Sequence, residues 1–494
     1  MKKISACLVL AGLASAAAAQ TNAPAARPMS LQDCLAEALQ HNFDVRVERY
    51  EPLKSKLSLE SAYAGYDPTY SVSGDHSYNE SGGGYASGLI VPPSASDENS
   101  FSSALSGTLP TGTTYNLNGN LGETYGSYTG SPFDTTSGNF GLNLDQPLLK
   151  NLWIDSTRLS ISAAKNQIKY TLQGLRQQLI TTVSAVENAY YELIYARENL
   201  GVEQEALNLA QTQLDQDQQR VSIGSLAPLD VQQDESQVAQ SRANLIAAQF
   251  TLQTDENTLK NLITDDYLTW HGLSLTPTAE LEAVRQLLDV QDSWSKGMAS
   301  RPDLLQAKLT LEQQGIQLKY DRNQLFPQLD LIASYGFNGT GKEYSDALGQ
   351  FNEGNRPFYT YGGKMSIPLG NRAARSTLKS DKAVEQQDLL KLKQLEQNVM
   401  VEIDNAVKQA QSAWESVDAT KQARVYAEAA LDAEQKKYAV GKSTTFTVLQ
   451  LQNNLTSARS AEIRAQANYQ EALTNLAQQE GTTLERRSVD ITVK

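Results

Sequence analysis

Leu172, Leu179, Val186, Leu193, Leu200, Leu207 and Leu214 fall on every seventh position without a miss. A seven-residue repeat held this long lays one apolar edge along a helix, which is the seam of a coiled coil. A second run, Val399, Ile403, Ala406, Ala410, Ala413 and Val417, steps by four and three to the same effect. The helices these seams predict cover about Asp155–Ser222 and Ala373–Val440. At about 1.5 Å per residue each would be roughly 100 Å long. No globular core holds a helix of that length, so these helices are built to cross a distance. The alanines at core positions imply closely spaced helices.

The chain also repeats itself. Arg220-Val-Ser-Ile-Gly224 through Leu229-Asp230-Val231 aligns with Lys437-Tyr-Ala-Val-Gly441 through Val448, and both Gly224/Gly441 and Val231/Val448 are 217 residues apart. Gln146-Pro-Leu-Leu aligns with Ser366-Ile-Pro-Leu, and Phe43-Asp-Val45 through Pro68 with Pro302-Asp-Leu304 through Pro327. The offsets are 217, 221 and 259, the last longer because the first half carries an insertion between Pro68 and Gln146. Three ordered matches at so long a spacing mark duplicated domains rather than a short solenoid. Each half reads as a short helical stretch, alternating strands, a very long helix, a glycine turn and a shorter helix. The expected organisation is a first repeat over 20–263, a connector over 264–300, a second repeat over 301–480 and a tail over 481–494.

The strands are two-faced. Tyr70, Val72, His76 and Tyr78 alternate with Ser71, Ser73, Asp75 and Ser77; Phe140, Leu142 and Leu144 alternate with Gly141 and Asn143. Leu329, Leu331, Ala333, Tyr335 and Phe337 share a face, as do Tyr359, Tyr361, Met365 and Ile367. Tyrosine-rich runs of about ten residues, apolar on one side, are the mark of transmembrane β-strands. A soluble sheet with one wet face alternates in the same way. The glycine- and serine-rich stretches 80–100, 122–138 and 338–356 read as hairpin loops.

The N-terminus favours the membrane reading. Lys2 and Lys3 precede an apolar run from Ile4 ending in Ala17, Ala18 and Ala19. That is a secretory signal peptide over 1–19. No later stretch is apolar for long enough to be a transmembrane helix, so a membrane form must be a closed barrel. The formal net charge of −14 argues against a nucleic-acid partner. His41, His76 and His271 lie far apart without metal-ligand spacing, and Cys34, the one cysteine of the exported chain, has no helper nearby. No phosphate loop or nucleophile elbow appears. The expectation is a chain without catalysis, cofactor or metal.

This order of elements, with the turn segments Ile223-Gly224 through Val231 and Tyr438 through Leu449, resembles the TolC family of outer-membrane efflux proteins from about Leu31 to Leu484. The resemblance implies an α+β membrane protein: a homotrimeric transmembrane β-barrel in outer-membrane lipid, continued by an α-helical coiled-coil tunnel in the periplasm. It implies four strands from each protomer and a mixed belt formed by 264–300 and the tail. It also implies an exit duct served by an inner-membrane pump and a periplasmic adaptor, the membrane fusion protein. One departure is an additional alternating pair, Phe101–Leu109 and Tyr115–Leu121, joined by Pro110-Thr-Gly-Thr113. It reads as a third hairpin or as a folded extracellular lobe. The competing function is a non-transporting coiled-coil protein of the envelope.

Gly224 and Gly441 end the long helices, where glycine supplies the left-handed residue of a C-terminal cap. The resemblance adds a docking role for these tips, with Ile223, Leu229, Val440 and Phe446 beside them. It also places Asp230 and Tyr438 at linking positions of a periplasmic gate, a phenol donating to a carboxylate. The competing reading has Asp230 favouring its helix N-terminus and Tyr438 packing beside the turn. Ser443, Thr447 and Gln450 stand where some relatives carry charged gate residues, so the negative ring here would come from Asp230 and Asp234.

Overall fold

A computed structural model describes residues 26–128 and 131–489; the signal peptide read at 1–19 and the end of the tail lie outside them. In chain order the elements are β1 (Ala26–Met29), α1 (Leu31–His41), α2 (Phe43–Glu48), α3 (Tyr50–Tyr63), β2 (Thr69–Ser81), β3 (Gly84–Ala86), β4 (Leu89–Val91), β5 (Ser94–Thr108), β6 (Thr114–Tyr128) and β7 (Ser131–Pro147). There follow α4 (Ser156–Ser222), α5 (Pro228–Ile263), α6 (Tyr267–Trp270), β8 (Ser274–Pro277), α7 (Val290–Ser300) and α8 (Pro302–Gln324). The rest are β9 (Gln328–Gly341), α9 (Tyr344–Glu353), β10 (Pro357–Ser366), α10 (Arg372–Ala439), α11 (Thr445–Glu480) and α12 (Thr483–Arg486).

The long helices are 67 and 68 residues, and the helix after each is 36. Their seams are the buried edge: Leu179, Val186, Leu193 and Leu214 on α4, and Val399, Ile403, Ala406, Ala410 and Val417 on α10. Helix starts follow local chemistry. Ser30 and Asp33 form a reciprocal capping box on α1, while Pro228 and Pro302 open α5 and α8, where a missing N–H costs nothing. Among the described residues no helix is long and apolar enough to cross a membrane.

The chain divides into two compact units, the first of residues 26–43, 182–287 and 409–475, the second of 44–181, 288–408 and 476–489. In the second, β2, β5, β6, β7, β9 and β10 form one antiparallel sheet in the order β10-β9-β7-β6-β5-β2. The additional pair is therefore a third hairpin, and among the described residues this sheet has six strands where the resemblance implied four. Its turn closes through Gly112 N–H to Leu109 O at 2.8 Å and Leu109 N–H to Thr113 O at 2.8 Å. The stretches read as hairpin loops are mostly strand: β5–β6 pairing reaches Ala95 and Ser127, β6–β7 pairing reaches Tyr128 and Ser131, and α9 sits inside 338–356.

Register sorts this sheet into two faces. Tyr70, Leu105, Leu117, Leu142, Tyr335 and Tyr359 lie in one row across it. Tyr70, Tyr335 and Tyr359 in this row are exposed. The opposite face is serine, threonine and asparagine, cross-linked by bonds such as Ser73 to Ser102 at 2.7 Å and Asn143 Nδ2–H to Asn118 Oδ1 at 2.8 Å. That polar face is hollowed, with Thr69, Ser106, Asn116, Asn143, Ser334 and Thr360 around the hollow. Among the helices, Leu304, Val399, Ile403, Ala406, Val407 and Leu476 make an apolar core covered by Trp294 and Met298.

In the first unit, β1 and β8 pair in parallel, and the buried Tyr190 hydroxyl donates to Met29 O at 3.1 Å. The Cys34 thiol is fully buried and burial pushes its pKa up to about 12, which makes it a packing residue. Among the described residues no three His, Cys, Asp or Glu side chains are placed to hold a metal ion.

Candidate functional site: the two helical turns

Both turns are built alike. Gly224 and Gly441 take φ of +77° and +73°, a left-handed conformation that a Cβ would strain. After each, the chain closes a Schellman cap: Ser225 N–H to Arg220 O and Lys442 N–H to Lys437 O, each at 2.9 Å. The capping role read from the sequence is therefore present at both turns. Ile223, Leu229, Val440 and Phe446 surround them with exposed apolar side chains, an unusual cluster for a helix end.

Behind the turns lies a polar cluster on an apolar floor. Tyr438 packs with Leu431, Val448 and Leu455 in a buried core flanked by Leu209 and Leu451. Its hydroxyl lies 2.8 and 2.7 Å from the two oxygens of Asp217, which is itself fully buried. Asp217 also accepts from Gln213 at 2.8 Å and from the Thr445 hydroxyl at 3.3 Å. The Arg220 guanidinium sits 3.6 Å from Asp217 and 4.5 Å from the centre of the Tyr438 ring. α4, α10 and α11 are thus joined at one carboxylate. The Tyr438 phenol donates to the carboxylate of Asp217. Asp230 sits partly exposed in the first turn of α5, too near the surface to be the group that Tyr438 buries.

Asp234, one helical turn further along α5, is completely buried. No N–H or hydroxyl donor reaches either of its oxygens. Burial, then the charge of Asp217 and a hydrogen bond between the two carboxyls, push its pKa up to about 7. A proton on Asp234 removes the repulsion between the two neighbouring carboxyls. Burial and the neighbouring Asp217 likewise raise the Tyr438 phenol, so it stays a donor. α5 and α11 are also tied by paired amides, Gln237 and Asn453, at 2.7 and 3.0 Å. Ser443, standing at a position considered for a gate link, donates to Glu434 at 2.6 Å within its own hairpin.

Asp217 was missed in the sequence, yet it leaves a signal there. Leu207, Ala210 and Leu214 step by three and four along the seam, and the next seam position is Asp217. A charge at a position that periodicity reserves for an apolar residue calls for a partner. Tyr438 lies seven residues after the buried Leu431, on the facing seam.

Comparisons with known proteins agree with one another. The family model described as outer membrane efflux protein matches residues 35–264 and 295–482. The outer membrane efflux protein BepC of Brucella suis is 25% identical over 333 residues, covering 67% of this chain and 69% of that protein. Outer membrane protein TolC of Escherichia coli is 26% identical over 311 residues, 60% of each chain. In fold, the CmeC outer membrane channel of Campylobacter jejuni superimposes with a TM-score of 0.66 at 15% identity, covering 94% of this chain and 90% of that one. The chain's role is that of an outer-membrane efflux duct. With the family model matched over 35–264 and 295–482, the chain belongs to the outer membrane efflux protein family.

Proposed function

We propose that this chain is one protomer of a homotrimeric exit duct, its sheet closed into a barrel by two further copies and its helices lining a periplasmic tunnel. The observation that carries this reading is a six-stranded sheet with an apolar face and two unpaired edges, β2 and β10. Edges open to lipid leave backbone groups unsatisfied, at several kcal/mol each. Six strands are fewer than the about eight that just fill a closed barrel with side chains, so the sheet needs other copies. Three copies give about eighteen strands, a size that keeps a water-filled lumen. The polar, hollowed face then lines the passage and the apolar face meets lipid.

In this reading a periplasmic adaptor docks on the exposed Ile223, Leu229, Val440 and Phe446, and an inner-membrane pump delivers the cargo. Asp217 and Tyr438 latch the hairpins in the closed state, and Asp230 with Asp234 supplies negative charge at the entrance. A non-transporting coiled-coil stalk would account for the seams but leaves the two-faced sheet without a role. Crosslinking the purified protein in mild detergent tests the assembly: the expected ladder ends at three, with migration that changes on heating. A monodisperse monomer with an intact β-sheet spectrum would overturn the reading.

A further inference from the structure

The β9–β10 connection carries a helix that the sheet is shaped to receive. Along α9, Tyr344, Ala347, Leu348 and Phe351 form one apolar stripe, at spacings of three, four and seven. The stripe lies on the apolar face of the sheet, not on the polar one. The Tyr344 ring meets Phe101 edge-on at 6.1 Å. A Cβ on Gly339 would come within 2.3 Å of Ala347 O, and one on Gly138 within 3.1 Å of Phe351 Cζ. Gly138 and Gly339 are register partners on adjacent strands, so the two glycines together hollow a seat. Polar bonds pin the helix as well: the Gln350 amide donates to Thr340 O at 2.7 Å and accepts from Thr340 N–H at 3.2 Å.

The height of this seat on the sheet is informative. Phe101, Leu121, Gly138 and Gly339 form one row. On the helix-proximal side of that row, the same face carries Leu142, Tyr335, Leu144, Tyr361 and Leu331. On the distal side it carries His76, Asp97, Asn99, Glu123 and Asp134. From Leu329 to Gly339 on β9 is ten positions. At about 3.3 Å each and a tilt of about 40°, they span about 25 Å, the usual height of a barrel's apolar band. α9 therefore lies where the band ends and the polar rim begins. Leu348 keeps 50% of its surface exposed there, continuous with the band, while Glu353 on the other side is exposed and charged.

We propose that α9 is an interfacial helix lying in the headgroup zone of the outer leaflet, strapped to the outside of the barrel and fixing the depth at which the sheet sits. This rests on the reading that the apolar face meets lipid. An amphipathic helix at such a boundary places its apolar side at the acyl edge and its polar side among headgroups.

The test uses single-cysteine variants in a Cys34→Ala background, labelled with an environment-sensitive fluorophore and reconstituted as the full trimer in phospholipid vesicles. Leu348→Cys reports on α9, Glu353→Cys on its polar side, and Tyr361→Cys, at a residue 80% exposed at mid-band, on the lipid-facing wall. Each is quenched in turn with lipids carrying a spin label near the headgroup, lipids labelled deep in the acyl chain, and aqueous iodide. The expected pattern is shallow-label quenching at Leu348, deep-label quenching at Tyr361 and iodide quenching at Glu353. Iodide quenching alone at Leu348, or deep quenching equal to that at Tyr361, overturns the interfacial placement while leaving the barrel intact. Loss of lipid quenching at Tyr361 overturns the lipid-facing reading itself, and the proposal with it.

Discussion

The Tyr438 hydroxyl sits between the two oxygens of the buried Asp217 carboxylate, at 2.8 and 2.7 Å. The two residues occupy the last core positions of facing seams on α4 and α10, so these coils end on a hydrogen bond instead of an apolar contact. A neutral donor to a carboxylate is worth about 1.5–3 kcal/mol where water is excluded. We propose that the pair acts as a latch whose release frees the turns.

Tyr438→Phe should lower the local opening free energy of the hairpin ends by about 1.5–3 kcal/mol. Amide hydrogen exchange near Gly224 and Gly441 should accelerate by about ten- to a hundredfold as a result. Asp230→Ala should leave the same amides unchanged, since Tyr438 donates elsewhere. Equal acceleration in both variants would return the gate role to Asp230.

Three carboxyls in the helical part hold protons unusually tightly. Burial, followed by a neighbouring acid, raises Asp234 to about 7, Glu471 to about 7 and Asp321 to about 6. In the unfolded chain they titrate near 4. Between about pH 4 and pH 7 the folded state therefore binds more protons, and stability falls as pH rises, levelling off above the folded values. The melting temperature should be higher at pH 5.5 than at pH 8. Asp234→Asn should shrink that difference and stabilise the hairpin ends at pH 8. A melting temperature that climbs from pH 5.5 to pH 8 would mean the carboxyls are not paired.

Leu193 is completely buried on the α4 seam. Leu193→Asp puts an unpaired charge there, at a cost of several kcal/mol. Limited proteolysis should then cut the helical part while heat-modifiable migration persists, because the sheet lies in the other compact unit. Full protease resistance in this variant would place the seam elsewhere.

The long helices were legible because a heptad repeat is a local signal that packing reinforces. α4 and α10 begin within one residue of where the repeat placed them and end no more than one residue away. The outer halves of β5, β6 and β7 were not legible, because Ser94–Ser100 and Gly122–Tyr128 carry polar or small residues on both faces. Only their neighbours' hydrogen bonds make them strands. α9 hid among glycines, although Tyr344, Ala347, Leu348 and Phe351 already had helical spacing. At the turns, Gly224 and Gly441 were readable from backbone chemistry alone. The partner of Tyr438 was not, since Asp217 and Asp234 become a pair only when α4 and α5 fold against each other.

A gated, water-filled passage through the outer membrane is read out by single-channel recording in planar bilayers. Purified wild-type protein and Tyr438→Phe should both insert as trimers and give discrete conductance steps, with larger steps in the variant because the latch is released. Absence of steps in both, from protein that still shows trimeric, heat-modifiable migration, would contradict the duct.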